Sequence, residues 1–281
     1  MDKEQRIAVF RETQKCANEF RYTNNAGESR DLYREDYGMK FSDGRLFSRP
    51  VYKLIATDKP KYEKTEISVE RIDCLVAAQQ LVDDGYNPAV LNMASFKQPG
   101  GGVKNGSAAQ EENLCRRTNL YKSISKFEKN GYPLDINWGA IYSPVVTIFR
   151  KTEAENYGFM DEPYVVDFIT AAAIKHPKLN GDGTLEQKTR DILKNKVRQI
   201  LNVGLYYRND SLVLGAFGCG AYGTPPVEMA KIFKEVLGER FYRGAYKKIV
   251  FAVLDDHNAH REHNPEGNFK PFCDILEMPT R

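Results

Sequence analysis

Apolar residues follow two rhythms along this chain, and the order in which the rhythms alternate predicts its class. Over residues 4–20 the spacing of Ile7, Phe10, Ala17 and Phe20 predicts a helix with one face packed on the body. Residues 21–62 are polar and rich in Tyr, Arg and Gly, which predicts an irregular extension with short strands such as Val51–Ile55. From Lys64 onward strand and helix patterns alternate. Thr65–Val69 predicts a strand, and Leu75, Ala78, Leu81 and Val82 form a helical stripe. Asp73 stands where that helix needs an N-cap and Gly85 where it needs a C′ glycine. Ala89–Met93 predicts a compact apolar strand, and Glu111–Ser123 a helix.

The second half repeats the alternation. Tyr142–Phe149 is rich in β-branched and aromatic residues and predicts a strand, with Pro144 pointing to a sheet edge or a strand start. Tyr164–Ala172 predicts another buried strand. A long helix follows from Leu185 to Tyr207, buried along Leu193, Val197, Ile200, Leu201 and Leu205. Ser211–Leu214 predicts a strand, and Pro225 and Pro226 open a helix lined by Met229, Ile232, Phe233, Val236 and Leu237, which Gly238 ends. Lys248–Leu254 predicts a last strand and Asn268–Leu276 a short helix. The sum is an α/β chain with a largely parallel or mixed sheet covered by helices on both faces. Residues 1–62 read as an N-terminal helix and irregular extension packed on the core, and 63–281 as the main α/β domain.

Bulk properties narrow the class without naming a reaction. The 281 residues are 41% hydrophobic and 28% charged, with a net charge of +3. That balance is ordinary for a globular protein and does not suggest one that coats nucleic acid. The five cysteines (Cys16, Cys74, Cys115, Cys219, Cys273) are scattered, with no CxxC, so neither a disulfide framework nor a cysteine zinc site is expected. The polar N-terminus shows no signal peptide, and no apolar run approaches a membrane span. The expectation is a cytoplasmic protein.

Two glycine-rich stretches carry the candidate chemistry. The first, in LNMASFKQPGGGVKNGSAAQEENLCRRTNLY, leaves the end of the strand Ala89–Met93. It places Gly100, Gly101 and Gly102, then seven residues, then Gln110-Glu111-Glu112. Three residues without Cβ let the backbone lie against a ligand and offer it N–H groups. The second, GAFGCGAYG from Gly215 to Gly223, leaves the end of Ser211–Leu214 and precedes a helix N-terminus. Free N–H groups and the helix dipole favour an anion there. It is neither a P-loop nor a dinucleotide fingerprint. Ligands of open α/β sheets bind beyond the carboxyl ends of strands, so the two loops are expected to converge and to suit a diphosphate. Asp73 is either a plain N-cap or an acceptor for an exocyclic amine.

The adjacent carboxylates Glu111 and Glu112 do not easily flank a bond as the paired carboxylates of glycosidases do. A single acid/base beside a residue that holds a sugar hydroxyl is the better reading. Burial beside a like charge is expected to raise one pKa and supply the acid. His257, His260 and His263, with Asp255 and Asp256, do not fall on one helical face and read as a solvated loop rather than a zinc site. Cys219 has no evident nearby histidine partner and reads as structural, not nucleophilic.

PGGGVKNGSAAQEE resembles the GGG-to-QEE signature of the poly(ADP-ribose) glycohydrolases, and its flanks resemble the bacterial-type group. The similar pieces are LNMASFKQPGGG, QEENLCRRTNLY, IYSPVVTIFR, DEPYVVDFITAAA, LVLGAFGCGAYG and IVFAVLD, in order. The resemblance implies a macrodomain-like mixed sheet sandwiched between helices. It also implies hydrolysis of ribose–ribose O-glycosidic bonds in poly(ADP-ribose) to release ADP-ribose, in exo fashion, without metal or cofactor. Glu112 matches the general acid/base, and Glu111 and Gln110 the residues that position the scissile ribose. Gly100, Gly101, Gly102 and Val103 match a loop at the distal ribose and phosphate, with Asn92 near that ribose. Gly218, Cys219, Gly220, Ala221, Tyr222 and Gly223 match a diphosphate loop, with Tyr222 over the distal ribose. Asp73 matches an adenine contact and Phe272 an adenine neighbour. Tyr222 stands where phenylalanine is common. The implied partners are poly(ADP-ribose), ADP-ribose and ADP-ribosylated proteins, with no membrane or nucleic acid, and the implied state is a monomer. The alternatives are a hydrolase of mono-ADP-ribosylated targets and a non-catalytic ADP-ribose-binding macrodomain.

Overall fold

A computed structural model describes residues 1–36, 38–51, 61–255 and 259–276. In chain order the elements are α1 (Lys3–Glu19), β1 (Arg21–Thr23), β2 (Ser29–Asp31), β3 (Glu35–Asp36), β4 (Met39–Lys40), β5 (Arg45–Phe47), β6 (Glu66–Glu70), α2 (Cys74–Asp83) and β7 (Pro88–Met93). There follow α3 (Gln110–Arg117), α4 (Leu120–Ile124), α5 (Glu128–Gly131), β8 (Ala140–Arg150), β9 (Phe159–Ala171), α6 (Gln187–Tyr206), β10 (Ser211–Leu214), α7 (Pro226–Leu237), β11 (Lys248–Ala252) and α8 (Phe269–Leu276). The class is α/β, with a mixed sheet flanked by helices, as the alternation of patterns predicts.

Contacts within the chain divide it into two units. The first comprises Met1–Leu46, Asn92–Leu134 and Ile141–Ala171. Here β5, β8 and β9 lie side by side in that order, with the end of β7 next to β9. Helix α1 starts on a capping box: the Gln5 N–H donates to Asp2 Oδ1 at 2.8 Å and the Asp2 N–H to Gln5 Oε1 at 2.9 Å. It ends at Phe20, whose left-handed backbone (φ 54°) stops the helix. Its buried face is Phe10, Thr13, Cys16 and Ala17.

Two expectations fail in this unit. The helix expected over Glu111–Ser123 is two helices, α3 and α4, broken at Thr118 and Asn119. Thr118 is extended and bridges Ile148 antiparallel. Asn119 is held by the Thr147 N–H, which donates to its Oδ1 at 2.9 Å. Pairing with β8 outweighs continuation of the helix. Pro144 is at neither an edge nor a strand start, because β8 lies between β5 and β9 and Pro144 is inside it. Its neighbour Val145 has φ 54° and sends its N–H to Asp167 Oδ1 at 3.1 Å. The backbone leaves ladder geometry there, which is where a sheet tolerates proline.

The second unit comprises Phe47–Leu91, Asp135–Ala140 and Ala172–Arg281. Here β7, β10, β11 and β6 run parallel in that order, with Leu212 level with Ala89 and Ile249, and Val250 level with Ser68. Strand β10 is buried throughout, as the short apolar run Ser211–Leu214 requires. Asp73 caps α2, its Oδ1 accepting from the N–H groups of Leu75 (3.0 Å) and Val76 (3.2 Å). The stripe of α6 includes a buried lysine, Lys196, whose Nζ donates to the carbonyls of Asp135 and Gly139. Val51 is buried but not in a strand, and the rest of the expected strand Val51–Ile55 lies outside the described residues.

Candidate active site

The first unit carries the carboxylate pair. Strand β7 delivers Asn92 and then the glycine loop, and α3 begins at Gln110. Turns of 3-10 type close the loop: the Val103 N–H donates to Gly100 O at 3.0 Å, and the N–H groups of Asn105 and Ser107 donate to Gly102 O at 2.9 and 3.2 Å. Gly101 requires its lack of a side chain. Its φ is +52°, and a Cβ there would lie 2.6 Å from Glu112 Oε1 and 3.1 Å from Glu111 Oε2.

Glu111 and Glu112 sit in the first turn of α3, where the dipole and free N–H groups favour negative charge. Both are buried, at 3% and 8% exposure. Their hydrogen bonds set them apart. Glu111 uses both oxygens on the protein: Oε1 accepts from the Gly100 N–H (3.0 Å) and Asn92 Nδ2 (3.4 Å), and Oε2 from the Ser95 N–H (2.7 Å). Glu112 Oε1 accepts the Gly102 N–H at 2.8 Å, whereas its Oε2 is buried without a hydrogen-bond partner. An unpaired buried carboxylate oxygen is costly to keep, and such atoms cluster at functional sites.

Burial pushes the Glu111 carboxyl up, to about 8, with Glu112 adding to the rise and the N–H groups of Ser95 and Gly100 opposing it. The carboxyl that burial raises is thus Glu111, not the residue that the resemblance makes the acid. Gln110 spends its Oε1 on the Met93 N–H at 2.9 Å, tying the helix start to β7. Asn92 is fully buried, with Nδ2 also 3.1 Å from Thr170 Oγ1, and Val103, the first residue of the 3-10 turn, is fully buried.

Sequence reasoning missed two residues of this unit. Arg116 is fully buried and donates to the Ser107 carbonyl (2.7 Å) and the Tyr157 hydroxyl (3.1 Å). Its position four residues after Glu112, on the same helical face, was the available signal. Tyr132 has a buried hydroxyl without a hydrogen-bond partner, raised by burial and by nearby Glu111. It stands in a polar stretch that offers no periodic cue.

The second unit carries the other glycine loop. From Gly215 to Thr224 the backbone folds on itself: the N–H of Cys219 donates to Ala216 O (3.0 Å), of Gly223 to Gly220 O (3.0 Å) and of Thr224 to Gly218 O (3.0 Å). Ala221 is exposed, Gly218, Gly220, Tyr222 and Gly223 are half-buried, and the loop runs into the proline-led start of α7. The Cys219 thiol is fully buried, and burial pushes its pKa up, which makes it a packing group and a poor nucleophile. Phe272 departs from expectation. It is fully buried against Phe233 and Phe251 (ring centroids 6.2 and 5.8 Å away), so the structure packs its ring in the core.

His263 puts a ring nitrogen 2.9 Å from Cys219 O, and His260 one 3.0 Å from Pro265 O. His257 and Asp256 lie outside the described residues. Among the described residues no three His, Cys, Asp or Glu side chains group closely enough to hold a metal ion, and no helix is long and apolar enough to cross a membrane.

A model of the microbial-type PARG catalytic domain matches residues 10–151. Among solved structures, the poly(ADP-ribose) glycohydrolase of Thermomonospora curvata is similar at TM-score 0.79 and 27% identity, over 97% of this chain and 99% of that one. The same enzyme bound to the inhibitor ADP-HPD matches at TM-score 0.76 and 28% identity, over 96% and 99% of the two chains. The enzyme of Deinococcus radiodurans in complex with ADP-ribose matches at TM-score 0.70 and 30% identity, over 84% and 95%. No curated protein matches.

Proposed function

The chain belongs to the microbial-type poly(ADP-ribose) glycohydrolase family, and on that premise we propose how its residues break the bond. The enzyme is a glycosidase that hydrolyses the ribose–ribose O-glycosidic bond of poly(ADP-ribose) and releases ADP-ribose. Glu112 is the general acid and base. It gives its proton to the leaving ribose oxygen as the bond to the anomeric carbon breaks. Its carboxylate then takes a proton from the water that attacks the oxocarbenium-like carbon, which restores the acid.

One observation carries the choice between the two carboxylates. Glu111 has both oxygens engaged by Gly100, Asn92 and Ser95, so it acts as a fixed strut for the loop and positions the scissile ribose. Glu112 has one oxygen fixed by Gly102 and the other, Oε2, buried without a partner, as a proton-transfer group needs.

The other roles follow the resemblance residue by residue. Gly100 to Val103 hold the distal ribose and the neighbouring phosphate, with Asn92 near that ribose, and Gln110 positions the scissile ribose beside Glu111. Gly218, Cys219, Gly220, Ala221 and Gly223 offer backbone N–H groups to a diphosphate, and Tyr222 covers the distal ribose. Asp73 accepts from adenine while capping α2. The extension over 1–62 braces a catalytic domain over 63–281. The enzyme acts from the polymer end, as a monomer in the cytoplasm, on ADP-ribosylated proteins, and without metal or cofactor.

A side-by-side assay tests this reading. The protein is incubated with labelled poly(ADP-ribose) and with a mono-ADP-ribosylated protein. Release of ADP-ribose from the polymer, with slow or no release from the mono-modified target, is expected. Release from the mono-modified target alone would overturn the substrate assignment.

A further inference from the structure

We propose that Arg116 is a positioning residue for the hydrolysis, acting on Glu112 through the backbone of the glycine loop. This inference rests on the assignment of Glu112 as the acid. The connection is continuous. Arg116 Nη2 donates to the Ser107 carbonyl at 2.7 Å. The Ser107 N–H donates to the Gly102 carbonyl at 3.2 Å. The Gly102 N–H donates to Glu112 Oε1 at 2.8 Å. The carboxylate and the guanidinium are one helical turn apart on α3, so the path leaves the helix at Arg116, crosses the loop and returns at Glu112.

The far side of Arg116 is equally constrained. Its Nε donates to the Tyr157 hydroxyl at 3.1 Å, which donates to Glu153 Oε2 at 3.0 Å. Glu153 Oε1 receives Arg6 at 2.7 Å. The Thr13 hydroxyl of α1 donates to the Arg116 carbonyl at 2.7 Å. A planar guanidinium with several donors in a fixed fork suits this task. It sets the height of the Ser107 carbonyl against two fixed points, and hence the direction of the Gly102 N–H. Arg116 is fully buried, so it touches no substrate. A role confined to stability is the competing account.

The test separates the two. Steady-state release of ADP-ribose from polymer is measured for Arg116→Met, Arg116→Lys and Tyr157→Phe, with ADP-ribose affinity by calorimetry and melting temperature for each. Displacement of a catalytic group by a fraction of an ångström to 1 Å costs up to about 100-fold in rate. For Arg116→Met the expectation is a kcat lower by about 10- to 100-fold, with KM and ADP-ribose affinity within about 2-fold. Arg116→Lys keeps one donor toward Ser107 and is expected to recover part of the lost kcat. A folded Arg116→Met with unchanged kcat, or one whose kcat and affinity fall together, overturns the proposal. If Arg116→Met does not fold, Tyr157→Phe decides. It is expected to lower kcat several-fold at constant affinity, and an unchanged kcat overturns the proposal. Glu112→Gln, run in parallel, keeps the two assignments distinct. Turnover surviving in Glu112→Gln rejects the acid, whereas lost turnover there with normal Arg116 variants rejects only the relay.

Discussion

The Gly102 N–H lies 2.8 Å from Glu112 Oε1. The last of the three consecutive glycines thus holds the proposed acid by one oxygen and leaves its Oε2 without a hydrogen-bond partner. The glycine triplet and the carboxylate pair form one device, in which a bare backbone is needed to approach a buried carboxylate. Four outcomes follow from this geometry and its surroundings.

Glu112→Gln keeps the shape and the Gly102 contact but has no proton to give. Turnover of labelled polymer should fall by about 100- to 10,000-fold, the usual worth of a general acid/base. ADP-ribose affinity, read by calorimetry, should hold. Turnover near wild type would reject the mechanism.

Gly101→Ala places a Cβ 2.6 Å from Glu112 Oε1 and 3.1 Å from Glu111 Oε2, at a φ of +52°. The left-handed backbone alone costs an alanine about 1–2 kcal/mol. The clash adds displacement of the acid, so kcat should fall far more than melting temperature accounts for. Gly27→Ala provides the comparison, with φ +81° and nothing within 4 Å of its Cβ. It should lower stability and leave kcat unchanged. Equal loss of activity in both variants would refute the contact.

The buried Glu111 carboxyl makes stability pH-dependent. Its folded pKa, about 8, is above the ordinary 4.5 because burial penalises the charge. The folded state therefore binds the proton more tightly than the unfolded state. The associated stability is full below pH 4.5 and lost as pH rises towards 8, with a slope of at most about 1.4 kcal/mol per pH unit. Denaturant midpoints across that window should show the decline. Glu111→Gln should remove this group's part of the slope. It should also be less stable overall, since an amide nitrogen would meet an N–H donor from Gly100 or Ser95. A slope identical to wild type in that variant would contradict the assignment.

Asp73 has two tasks in this reading, and two substitutions separate them. Asp73→Ala loses the cap on the Leu75 and Val76 N–H groups, at about 1 kcal/mol, together with adenine binding. Asp73→Asn keeps a good N-cap and should hold the melting temperature while ADP-ribose affinity falls. Unchanged affinity in both variants would leave Asp73 a cap alone.

Much of the fold was legible because local rules decided it. Asp73 caps α2, Pro226 opens α7, Phe20 and Gly238 stand at helix ends, and β10 occupies Ser211–Leu214, all set by neighbours a few residues away. The family, too, was written in the glycine and QEE spacing, since both depend on short-range geometry. Where the chain's own pattern misled, a distant partner had intervened. Thr118 left its helix to bridge Ile148, and Pro144 sits inside β8 because Asp167 takes the Val145 N–H that a regular ladder would have used.

The difference in hydrogen bonding between Glu111 and Glu112 belongs to tertiary structure. Adjacent glutamates are equivalent in any local rule, and only the resemblance told them apart in sequence. Their difference arises because Asn92, Ser95 and Gly100, up to 19 residues away, engage both oxygens of one, while Gly102 engages a single oxygen of the other. Phe272 shows the same limit in reverse: an aromatic near the end of the chain fits a ligand wall or a core equally well. Only its packing against Phe233 and Phe251 assigns it to the core. Spacing along a chain fixes which groups are near in sequence, but burial and hydrogen-bond satisfaction depend on what folding brings against them, and these decide which carboxylate keeps an oxygen without a partner.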